Sequence, residues 1–131
     1  MKRWSSFVAT ILLTLTTNLT AQVSTAITVQ EIVVCTSVEN RQPVGTDSVF
    51  TPDVNQLVCY TRLSGDGTQS ALSHIWYYMG KEMTRIDLTM NGTSWRTWSR
   101  KNILPAWKGE WRVEVQDAAG TVLGKANFTI Q

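Results

Sequence analysis

Between Ser94 and Asp117 the chain sets four tryptophans and five basic side chains within about two dozen residues. A guanidinium is a fixed fork of donors that grips carboxylates, and an indole offers a broad face for rings or cations. Such a mixture suits a protein partner, a glycan or a nucleic acid. His74, the single histidine, is the one side chain whose ordinary titration falls near neutrality. One histidine cannot furnish a multi-histidine metal centre, and Cys35 and Cys59 lack C-x-x-C spacing. A serine–histidine–acid set can be assembled on paper around His74, but no nucleophile elbow marks any serine, and no glycine loop is built to cradle phosphate. Asp47, Asp53 and Asp66 sit among turn residues, where carboxylates commonly cap backbone amides. These patterns point away from an enzyme, and no catalytic residue, cofactor or metal is expected.

The N-terminus carries Met1-Lys2-Arg3, an apolar run from Phe7 to Leu15, and small residues at Ala21 and at Ser24-Thr25-Ala26. That order predicts a secretory signal peptide over 1–26, cleaved after Ala21 or Ala26. The apolar run is well short of the roughly 20 residues of a spanning helix, so no membrane span is expected after cleavage. The expected location is periplasmic or secreted. Without Lys2 and Arg3 the remaining chain has 10 basic against 10 acidic residues. A balance near zero offers no long-range field for a polyanion, so nucleic acid is not an expected partner. Two cysteines in a small exported chain predict a Cys35–Cys59 disulfide.

The elements that must position these residues read as strands. Short runs rich in Val, Ile, Thr, Tyr and Trp, separated by turn residues, predict strands near 27–38, 56–63, 73–79, 83–90, 93–100, 110–117 and 121–130. Turn signals stand at Met79-Gly80-Lys81, Asn91-Gly92 and Asp117-Ala118-Ala119-Gly120. About seven antiparallel strands over 27–131 imply an all-β domain, an immunoglobulin-like β-sandwich, with a partly closed barrel as the alternative.

Asn-Gly favours a two-residue type I′ turn, which would place Met90 opposite Thr93, Leu88 opposite Trp95, Asp87 opposite Arg96 and Arg85 opposite Trp98. On that register Trp95 faces the core and Trp98 faces outward among charges. Alternation puts Trp111 with Val113 and Val115 on a buried face, and Trp107 after Pro105-Ala106 plugs one end. His74 shares a face with Trp76 and reads as a histidine hydrogen-bonded at a strand end, with ligand contact as the rival.

His74-x-Trp76-Tyr77, Trp95-Arg96-Thr97-Trp98-Ser99-Arg100-Lys101 and Gly109-x-Trp111-Arg112-Val113-x-Val115-x-Asp117-x-x-Gly120 together resemble the bacterial family called domain of unknown function 2914. Val38-Glu39-Asn40-Arg41-x-Pro43-Val44-Gly45 is similar to that family's N-terminal segment. The resemblance implies an envelope-associated accessory β-domain without an established activity. It draws attention to Arg41, His74, Trp76, Arg96, Ser99 and Lys101 and assigns them no chemistry. The expected binding set is Trp98, Arg96, Arg85, Arg100, His74 and Trp76. The expected role is contact with a protein of the envelope, and the alternative is a glycan or envelope polymer.

Overall fold

The structure, a computed structural model, describes residues 27–131; the expected signal segment lies outside them. They form an all-β fold without a helix. The seven expected strands are all present: β1 (Thr28–Cys35), β5 (Gln56–Ser64), β6 (Ser70–Tyr78), β7 (Lys81–Met90), β8 (Ser94–Asn102), β9 (Gly109–Asp117) and β10 (Val122–Ile130). Three short strands lie between β1 and β5: β2 (Ser37–Glu39), at the end of the expected first strand, then β3 (Gln42–Val44) and β4 (Val49–Phe50). Asn40 and Arg41, both at positive φ (49° and 59°), make the two-residue turn that joins β2 to β3.

Two sheets carry the fold, a three-stranded one in the order β1-β5-β8 and a five-stranded one in the order β4-β10-β9-β6-β7; β2 and β3 pair separately. The main apolar cluster draws Val34, Leu57 and Cys59 from the first sheet and Trp76, Trp111, Val113, Phe128 and Ile130 from the second. The two sheets therefore face each other across a shared core. A second cluster, Ile27, Leu63, Leu72 and Met90, extends that interior, with Leu88 and Trp95 packed on it. A third, Cys35, Val58 and Tyr60 with Val38 and Trp98, lies on the outer side of the three-stranded sheet.

Turn chemistry held at two of the three expected sites. Met79 and Gly80 have φ of 49° and 81° and close the β6–β7 hairpin between the paired Tyr78 and Lys81. The Asp117 carboxylate accepts from the amides of Ala119 (3.0 Å) and Thr121 (2.9 Å), fixing the β9–β10 turn. The Asn91-Gly92 hairpin, in contrast, does not form. Strand β7 pairs with β6 and β8 pairs with β5, in different sheets. A type I′ turn needs positive φ at both central residues, and here only Gly92 has it (120°). Leu88 consequently lies opposite Leu72, and Trp95 opposite Leu63. The Asp87–Arg96 and Arg85–Trp98 pairings fall with that register.

The expected disulfide is also not formed: Cys35 and Cys59 are both free, buried thiols. Val34 pairs with Cys59 and Cys35 with Val58, an offset of one residue. In a strand that offset sends the two side chains to opposite faces. Cys59 points into the space between the sheets and Cys35 into the outer cluster. Burial raises both thiols above their ordinary range, Cys59 the more strongly.

Candidate functional site

His74 stands at the middle of β6, not at a strand end, and is fully buried between the sheets. Its Nδ1 lies 2.7 Å from Ser99 Oγ on β8, and its Nε2 lies 3.3 Å from Thr61 Oγ1 on β5. The Thr61 hydroxyl donates to the Thr97 carbonyl at 2.9 Å, so its oxygen accepts from His74. This assigns the imidazole proton to Nε2. Ser99 Oγ accepts from the Trp76 indole N–H at 3.1 Å and turns its own proton to Nδ1. One continuous chain results, Trp76 to Ser99 to His74 to Thr61 to Thr97, in which every side-chain donor and both imidazole nitrogens are paired. Among the described residues no buried side-chain polar atom lacks a partner. Burial lowers the His74 pKa from 6.5 to about 4, since no water solvates the imidazolium. Ser99 and His74 have the spacing of a nucleophile and its base, and at 4% and 0% exposure both are closed off from solvent.

The outer side of the three-stranded sheet is different. Trp98 on β8 stacks on Tyr60 of β5, with ring centroids 6.2 Å apart and planes at 17°. The Arg41 carbonyl accepts from Tyr60 Oη at 3.0 Å and from the Arg96 guanidinium at 3.3 Å, docking the β2–β3 turn beside the ring stack. Register places Arg62 directly opposite Arg96 and Val58 opposite Arg100. Arg62, Arg96 and Arg100 thus flank Trp98 and Tyr60 on this face, and Arg41 contributes its backbone carbonyl. Arg62 reaches Glu31 at 3.4 Å; among the described residues no acid pairs with Arg41, Arg96 or Arg100.

The six expected binding residues are thereby divided among three places. Arg96, Trp98 and Arg100 share the outer face of β8. His74 and Trp76 belong to the core chain. Arg85 lies apart on β7, 2.9 Å from Glu82. Arg62, which the periodicity did not recommend, completes the arginine group, and Arg41 adds a backbone carbonyl. Arg41 sits in a positive-φ turn, and only the strand pairing reveals Arg62. Trp107 behaves as an end plug: its ring lies 5.9 Å from Trp111 and 6.4 Å from Tyr78, with Lys101 Nζ 5.0 Å above it. The loop acids serve turns, Asp47 accepting from Ser48 and Val49 and Asp66 from Thr68. Among the described residues no three His, Cys, Asp or Glu side chains are placed to hold a metal.

Residues 69–130 match the family model described as a protein of unknown function, DUF2914. That segment carries the resemblance to DUF2914 that the sequence motifs implied. No curated protein matches the chain. The DUF2914 segment spans β6 to β10 and contains the His74, Trp76 and Ser99 corner of the buried chain as well as Arg96, Trp98 and Arg100. Val38–Gly45, and Arg41 with it, lies outside the matched residues. Thr61 and Tyr60, which complete the chain and the ring stack, also lie outside them.

Proposed function

We propose that this DUF2914 domain is a non-enzymatic, exported interaction module of the bacterial envelope, an immunoglobulin-like sandwich that holds a protein partner against the outer face of β5 and β8. The observation that carries the reading is the arginine group. Like charges directly opposite on neighbouring strands repel, and Arg96 stands opposite Arg62, whose only acidic partner among the described residues is Glu31, with Arg100 farther along the same face. A partner carboxylate between them would relieve that repulsion through charge-assisted, bidentate bonds. Tryptophan and arginine are also the side chains that most often dominate interface energies. The reading of His74 and Ser99 as structural follows from their burial, since a reacting pair needs an entry path.

The test compares wild-type protein with an Arg96→Ala/Trp98→Ala variant in crosslinking from envelope extract and on a glycan array. A single crosslinked protein that disappears with the variant, at a temperature where tryptophan fluorescence shows the variant still folded, supports the reading. A glycan signal with the same dependence would move the assignment to an envelope polymer. Undiminished capture by the variant would refute a role for this face. Export is tested by N-terminal sequencing of envelope-fraction protein, expected to begin at Gln22 or Ile27.

A further inference from the structure

Strand β8 has β5 on one side and no strand on the other, and β7 is likewise the terminal strand of its sheet. An open groove of about 310 Å³ runs between these two edges, lined by Asp87, Leu88, Thr89, Trp95, Arg96 and Trp98 among others. The β8 edge carries charged side chains, Arg96, Arg100 and Lys101, but lacks the other common protections of an edge strand. Its nine residues, SWRTWSRKN, contain neither Gly nor Pro, and its register with β5 runs without a bulge from Ser94 to Asn102. A long regular edge of this kind is a template for strand addition.

Charge narrows what can occupy it. If a second copy paired antiparallel about Trp98, Arg96 of each chain would face Arg100 of the other. Like charges would then stand opposite at both ends of the contact, which disfavours self-pairing. The same two side chains favour acids. Residues of an added strand that face Arg96, Trp98 and Arg100 are alternate ones on a single side of the strand. We propose that the free edge of β8 captures an extended segment of a partner protein with acidic residues at positions i and i+4 and an aromatic or aliphatic residue at i+2. The acids pair with Arg96 and Arg100, and the central side chain rests on Trp98. The intervening residues turn toward Trp95 and Leu88 and are apolar. The inference rests on the reading of the Arg/Trp face given above and names the kind of segment that face takes.

A capped nonapeptide, TVEVFVEVT, is the probe, because its symmetric sequence presents the same pattern in either strand direction. Saturable binding to the wild-type domain at millimolar concentration or below is expected in calorimetry. Replacing both glutamates by glutamine should weaken binding at least tenfold. Two further peptides carry N-methyl groups at odd or at even backbone amides; at least one should lose tenfold or more, since its ladder bonds are blocked. Exchanging charges, with Arg96→Glu/Arg100→Glu protein against the lysine version of the peptide, should restore binding. No binding at millimolar peptide, or unchanged binding by both N-methylated peptides, overturns strand addition. Neither result touches the broader partner-binding reading, which falls only if the Arg96→Ala/Trp98→Ala protein still captures its envelope partner.

Discussion

Acidification should weaken this fold through His74 in a calculable way. In the folded chain the imidazole is buried, and its pKa is lowered from 6.5 to about 4; in the unfolded chain it titrates at its ordinary value. Between those values the unfolded state binds one more proton than the folded state, so stability rises with pH there. The contribution is fully present above about pH 6.5 and is lost as pH falls toward 4. Each unit of pKa difference corresponds to about 1.4 kcal/mol, so the whole window is worth about 3 kcal/mol and the step from pH 7 to pH 5 about 2 kcal/mol. Urea unfolding followed by tryptophan fluorescence at pH 7, 6 and 5 measures the loss directly. Carboxylates also titrate at the acid end, so the informative quantity is the difference between wild type and His74→Gln. The variant starts less stable and should have the shallower pH dependence. Parallel pH profiles for the two proteins, or a wild-type midpoint unchanged from pH 7 to 5, would refute the neutral, buried assignment.

Ser99→Ala removes the acceptor of Trp76 and the donor to His74, leaving two buried nitrogens unpaired; a loss of about 2–4 kcal/mol is expected in the same titration. Trp95→Ala and Trp98→Ala should cost similar amounts, about 2–3 kcal/mol each, because both rings are half-buried against apolar clusters. A Trp98→Ala cost below about 0.5 kcal/mol would contradict the Tyr60 stack and the cluster beneath it. Cys35 and Cys59 should resist alkylation in the native protein and react in denaturant without added reductant. A requirement for reductant would contradict their placement on opposite faces of the sheet.

The alternation of side chains along each strand was legible without knowing which strands are neighbours. Trp111 is assigned to the interior by alternation, and Trp98 falls on the face opposite Trp95 as expected, although the hairpin register invoked for it does not form. Parity is a property of one strand, with its period of two. Pairing is a property of the whole fold. The Asn91-Gly92 signal failed for that reason: a local turn preference of about a kilocalorie yields when β7 and β8 can each bury a face by joining separate sheets. The outward environment of Trp98 was misjudged in consequence, because its neighbour is Tyr60 and not Arg85.

The disulfide illustrates the same limit more sharply. Composition and an expected export signal both favoured a bond, yet bond formation depends on whether two strands meet in phase, and here they meet one residue out of phase. The buried polar chain was equally out of reach, since its members come from β5, β6 and β8 and no spacing in the sequence links Thr61, His74 and Ser99. Arg62 against Arg96 is the most consequential case. Apart they read as two ordinary surface cations on two strands; in register they form a like-charge pair that, among the described residues, Glu31 answers on the Arg62 side alone. Strand pairing therefore gathers a chemically plain stretch of tryptophans and arginines onto one face, the face proposed above to meet a partner of opposite charge.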